Sequence, residues 1–211
     1  MQDRARATRT ALLESAAHLF AEQGYAGTSV NDISDHSGKT SGAIYFHYAS
    51  KEKLALAVAR EQFATWPRLA DSYAAPGVPP LEKLVVLSLG VARSLTEDVM
   101  ARAGARLWAE RRGIDAVVPA PFGVWAVAVT RLLAQARTRG ELAAGVKPSA
   151  AAVTLVCAFF GLCTLADELP GGRSRKEQFD QWWLLTLTSL QAAPDPAGLL
   201  ARARERMPAG A

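Results

Sequence analysis

A chain of 211 residues, half of them apolar and 21% charged, has room for one large domain or for a small domain joined to a larger one, and is too apolar to be wholly disordered. Twenty-four Lys and Arg against twenty Asp and Glu leave a net charge of +4 and a pI near 9.3, a mild basic excess that fits a nucleic-acid partner without demonstrating one. Over residues 1–60 the excess shrinks to one, seven basic side chains against six acidic, so any affinity for DNA there must come from placement rather than sum. The N-terminus has no apolar signal core, and the apolar run 150–166 is shorter than the ~20 residues that span a bilayer, so a soluble cytoplasmic protein is expected. Cys157 and Cys163 lie six apart in that run, about 600° around a helix, and are expected as buried packing residues rather than a disulfide or metal pair.

Almost every segment has helical period and none alternates like a strand, which predicts an all-α fold. Leu12, Ala16 and Phe20 recur every four residues and make one apolar stripe that stops at Gly24. Ser29 followed by Asp32 forms a capping box for a second helix with Val30 and Ile33 inward, ended by Gly38. Thr40–Tyr48 is a short third helix anchored by Ile44 and Tyr48. Ser50 caps a fourth, with Leu54, Val58, Phe63 and Trp66 apolar and a bend or break expected near Pro67. Residues 73–80 are a loop. Helices follow near 80–96, 99–112, 120–139, 148–169 and 174–191, with a short one in the Arg202/Arg204/Arg206 tail.

Two short helices joined by a turn at Gly38 suit a helix-turn-helix, whose second helix enters the major groove. Lys39, Thr40 and Ser41 then stand at the N-terminus of that helix, where free N–H groups favour phosphate.

Residues 11–54 resemble the TetR family of repressors. The matching positions are Phe20, Gly24, Tyr25, Thr28, Ser29, Val30, Ile33, Gly38, Thr40, Gly42, Ile44, Tyr45, His47, Ser50, Lys51, Glu52 and Leu54. Two positions depart from the pattern: Lys39 replaces a usually apolar residue, and Tyr48 a nearly isosteric Phe. The resemblance implies a DNA-binding domain over 1–54 and a helical regulatory domain, with ligand pocket and dimer interface, over 55–211. It places base contacts on Thr40, Ser41, Gly42, Ala43, Tyr45 and Phe46, with Lys39 an additional candidate. It places phosphate contacts on Arg6, Arg9, Thr28, Ser29, Tyr45, His47, Lys51 and Lys53.

In the second half, Arg102-Ala103-Gly104, Arg106-Leu107 and the Pro119, Pro121, Phe122, Trp125 motif resemble the γ-butyrolactone and furan autoregulator receptors of actinomycetes. That resemblance implies a lactone- or furan-type ligand against Trp125. Trp66, Trp108, Phe159 and Phe160 are further candidate walls, and Gln62, Thr130 and Thr164 candidate hydrogen-bonding groups. The apolar helix over 150–166 and the stripe Phe179, Trp182, Trp183, Thr186 and Leu190 are expected to pair two copies as a homodimer. No metal or cofactor is implied. An enzyme is disfavoured, because His18, His36 and His47 all fall in the first half and no nucleophile motif or phosphate loop is present. A drug or another hydrophobic metabolite as ligand, or no ligand at all, are the alternatives.

Overall fold

The computed structural model describes residues 2–72, 77–120, 122–165 and 174–207, the side chains of 65–72 excepted. Among the described residues ten α-helices follow in chain order: α1 Gln2–Gly27, α2 Val30–Ser37, α3 Ser41–Tyr48, α4 Lys51–Ser72, α5 Pro80–Glu97, α6 Val99–Ala109, α7 Phe122–Thr138, α8 Pro148–Leu165, α9 Arg175–Leu190 and α10 Pro196–Glu205. A 3₁₀ turn, Arg111–Gly113, follows α6. Among the described residues the only β-type pairing is a single antiparallel bridge, Leu142 to Gln191, so the fold is all-α.

The helix ends have local causes. Gly24, at φ 76° and ψ 178°, breaks α1 before its last turn. The Ser29 hydroxyl accepts from the Asp32 N–H while the Asp32 carboxylate accepts from the Ser29 N–H, closing the expected capping box. Gly38 ends α2 in the left-handed region at φ 63°. The Ser50 hydroxyl caps α4 through the Lys53 N–H. α4 does not break at Pro67: a proline removes one ladder bond, and the 22-residue helix continues past it.

The chain forms two compact units, and neither is one continuous stretch. The first holds residues 1–68 and 93–120, the second 69–92 and 121–211. In the first, α1 packs on α2, α3 and α6. Leu12, Ala16, Phe20, Ile33, Ile44, Leu54 and Val58 share its core with Ala103 and Leu107 of α6. In the second, α7 packs on α8 and α9 on α10 around Val85, Val129, Leu133, Trp183, Leu187 and Leu199. α10 is held by Arg202 and Arg206 on the buried Glu82 of α5, and by Arg204 on Asp180 of α9.

Two expectations about packing are corrected. Cys157 is exposed and Cys163 half-buried, because α8 is apolar all round while this chain covers only its Ala152, Leu155, Val156 and Phe159 side. Phe179, Trp183 and Leu190 are buried inside the second unit instead of offering a free interface, with Trp182 and Thr186 half-buried beside them. A 3.6-residue period identifies a face, not what covers it. α8 is long and apolar enough, by length and composition alone, to cross a membrane, which corrects the expectation that it falls short.

Candidate nucleic-acid interface and ligand cavity

Ile44 and Tyr48 are the buried residues of α3, and they fix which side of the helix faces out. The Tyr48 hydroxyl donates to the Arg9 carbonyl at 2.8 Å, so the replacement of a family Phe adds a bond between α3 and α1. Burial pushes that hydroxyl's pKa up, with the neighbouring Arg9 opposing the shift. Thr40 caps α3 by accepting from the Ala43 N–H at 3.3 Å, and the Ser41 hydroxyl donates to Asn31 of α2 at 3.4 Å. On the outward side, Lys39, Thr40 and Gly42 are exposed, Tyr45 is 56% exposed and Phe46 82% exposed; Ser41, Ala43 and His47 are intermediate.

The candidate phosphate contacts divide. Arg6, Arg9, Ser29 and Lys53 are exposed. Thr28 is 1% exposed and its hydroxyl donates to the Gly24 carbonyl at 2.8 Å, so its side chain is part of the α1–α2 turn rather than a surface donor. Lys51 closes the same turn. Its ammonium donates to the Tyr25 and Thr28 carbonyls at 3.0 and 2.9 Å and sits 4.1 Å from the centre of the Tyr25 ring. An ammonium has three donors, so one remains for a phosphate.

A clasp from α6 holds the same corner. The Glu110 carboxylate accepts from the Tyr25 N–H at 2.7 Å and from Arg106 Nε at 3.0 Å. Arg106 Nη1 donates to the Ala21 and Glu22 carbonyls at 3.0 and 2.8 Å, satisfying the open end of α1 before Gly24. The Tyr25 hydroxyl donates to Glu52 at 2.9 Å; burial first, then this carboxylate, raises its pKa well above the ordinary phenol value. Sequence reasoning missed the clasp. Its only trace is the Arg106–Glu110 spacing of four, which an ordinary surface pair shares.

The second unit holds a half-open cavity lined by Leu84, Leu87, Ser88, Trp125, Val129, Leu155, Val156, Phe159, Phe160, Trp182 and Trp183. The cavity is small, ≈ 30 Å³. Ser88 supplies the one hydroxyl of this lining; it donates to the Val85 carbonyl at 2.7 Å and accepts from Trp183 Nε1 at 2.8 Å. Trp125, Phe159 and Phe160 therefore meet, with Phe160 edge-on to Phe122 at 4.4 Å. The other candidates do not join them. Thr130 and Thr164 donate to the Ala126 and Phe160 carbonyls of their own helices. Gln62 is buried in the first unit against Gly104, and Trp108 lies there under the Arg111 guanidinium, 3.7 Å from its ring centre. The Trp66 side chain lies outside the described residues. Trp182 and Trp183, read from the sequence as interface, belong to the cavity wall.

Residues 12–58 match the model of bacterial regulatory proteins of the tetR family, and residues 78–190 match that of a tetracyclin repressor-like C-terminal domain. The A-factor receptor protein of Streptomyces griseus is 32% identical over 98% of this chain and 75% of its own length. A solved γ-butyrolactone receptor, described as ArpA-like, superimposes with a TM-score of 0.77 at 29% identity, over 97% of this chain and 99% of that one. CprB, a TetR family protein of Streptomyces coelicolor solved with its biological operator sequence, gives a TM-score of 0.76 at 30% identity, over 96% and 97% of the two chains.

Proposed function

This chain belongs to the tetR family of bacterial regulatory proteins, and from that membership we propose that it is a cytoplasmic, homodimeric repressor whose grip on operator DNA is released by a γ-butyrolactone- or furan-type signal. The observation that carries the reading is the presence, in one chain, of an outward, uncovered α3 face and a half-open aromatic cavity around Trp125. Tyr45, Phe46, Lys39 and Thr40 read base edges, while Arg6, Arg9, Ser29, Lys53 and the spare donor of Lys51 hold phosphates. The protein acts by binding rather than by catalysis, in keeping with a receptor and an operator-bound regulator among its relatives.

A small, largely apolar ring suits walls of aromatic and aliphatic surface, the Ser88 hydroxyl having already committed its proton to the Val85 carbonyl. Its entry favours a state in which two recognition helices no longer match successive grooves; without such a preference it releases nothing. Two copies meet through α8 and α9, where Val153, Cys157 and Leu185 stand uncovered on one chain.

The test is a ligand titration of the complex with a duplex enriched from a random library, read by gel shift, for the wild type and Trp125→Ala. Expected is release of the wild type by a γ-butyrolactone or furan, and a variant with full duplex affinity and no response. Release of both proteins at the same concentration would remove Trp125 from the site. Release only by unrelated hydrophobic drugs would replace the ligand class.

A further inference from the structure

We propose that Phe46 is a thymine reader: its ring packs on the C5-methyl group of one thymine in each half of the operator, and so sets sequence preference by apolar contact. The inference rests on the reading of α3 as a recognition helix and adds the chemical group that one of its residues selects. Phe46 is a large apolar side chain left 82% exposed, with an edge contact to the His47 ring at a centroid distance of 5.0 Å. Neighbouring Tyr45 offers a hydroxyl at its tip and can serve a polar base edge or a phosphate; Phe46 has no such group.

The helix leaves the strip beside the ring bare. Side chains on a helix lean toward its N-terminus, so the Phe46 ring lies toward the turn that holds Gly42, four residues earlier. Gly42 presents no side chain, and a Cβ built there would meet only the Thr40 hydroxyl, at 3.8 Å. Ring and bare backbone therefore form a shallow surface that lets a base pair approach closely, with the Thr40 hydroxyl at its border. In the major groove, guanine, adenine and cytosine present donors or acceptors that such a surface would strip of water without replacing the bond. Thymine presents its O4 acceptor as well, but it alone adds a C5-methyl group for the ring to cover, which offsets that cost. The surface thus favours thymine and penalises the other bases at the same position.

The experiment separates the methyl group from the rest of the base. A duplex enriched from a random library by the full-length wild-type protein is rebuilt with deoxyuridine for thymidine, one symmetric pair of positions at a time, and binding is read by fluorescence anisotropy. Deoxyuridine keeps every hydrogen-bonding atom of thymidine and lacks only the methyl. One symmetric pair should weaken wild-type binding by about fourfold per methyl, roughly 15-fold for the two half-sites together. Phe46→Ala should bind the thymidine and deoxyuridine forms of that duplex within about twofold of each other, while Phe46→Leu, still apolar, keeps the preference. Wild-type binding that ignores deoxyuridine at every position, or a Phe46→Ala protein that retains the full preference, would overturn the proposal while leaving the repressor reading intact. A library that yields no enriched duplex would overturn both.

Discussion

Gly24→Ala should cripple the corner where α1, α2 and α6 meet, through two separable costs. The backbone there, φ 76° and ψ 178°, lies in a region that only glycine occupies comfortably, and a side chain held in it costs about 1–3 kcal/mol. The added Cβ would also come under 3.0 Å from three atoms of the Glu110 carboxyl group. That group ends a flexible side chain and can retreat, but only by releasing the Tyr25 N–H and Arg106 Nε. A hydrogen bond to a charged group contributes about 1.5–3 kcal/mol; the Glu110 side chain is 34% exposed, which places the loss near the lower end. With about 1.5 kcal/mol for each of the two bonds added to the backbone cost, the sum is about 4–6 kcal/mol, a large part of the ~5–15 kcal/mol that holds a typical domain. Urea unfolding followed by circular dichroism, at one protein concentration, measures it. Repeating the substitution in a Glu110→Ala background should leave only the backbone cost of about 1–3 kcal/mol. A loss under about 0.5 kcal/mol in the wild-type background would refute the strain argument. Equal losses in both backgrounds would remove the carboxylate from it.

Lys51→Ala should lower stability by about 1–3 kcal/mol, since the Tyr25 and Thr28 carbonyls lose their donor, besides flattening the salt dependence of DNA binding; unchanged denaturant midpoints would show that water replaces the ammonium. Leu185→Glu changes a side chain 74% exposed in the single chain, so it should leave the fold intact and convert a dimer to monomer in sedimentation; a dimer that persists would move the interface elsewhere. The Ser29 hydroxyl and N–H hold the Asp32 carboxyl below its usual pKa, and Ser50, the Glu52 N–H and Tyr25 do the same for Glu52. Lowered carboxylate pKa values favour the folded state above the unfolded-state values, near pH 4, and that contribution fades as pH falls through the folded-state values. The thermal midpoint should therefore drop below about pH 4, and the double variant Asp32→Asn, Glu52→Gln should drop less steeply; identical slopes would contradict the assignment.

Local chemistry made much of this protein legible in the sequence. Ser29 with Asp32, Gly38 and Ser50 set helix ends through bonds spanning a few residues, so their pattern could be read without a partner. Ile44 and Tyr48, one turn apart, fixed which side of α3 turns inward, and that left Tyr45 and Phe46 as the exposed candidates. Trp125, a candidate ligand wall from a resemblance, and Phe159 and Phe160, candidate walls from their place in an apolar run, line one cavity.

What the sequence could not decide lies in contacts between residues far apart in the chain. Thr28 and Lys51 looked like surface donors until the α1–α2 turn closed around them. Arg106 and Glu110 looked like an ordinary helix pair, yet they hold Ala21, Glu22 and Tyr25, some 85 positions away. The same limit applies to Trp182 and Trp183: a helical period shows that a face is apolar, but a cavity wall and a subunit interface ask for the same side chains. Only the packing of α5, α7 and α8 against α9 decided between them, because burial depends on which surface arrives to exclude water, and that surface is supplied by another part of the chain.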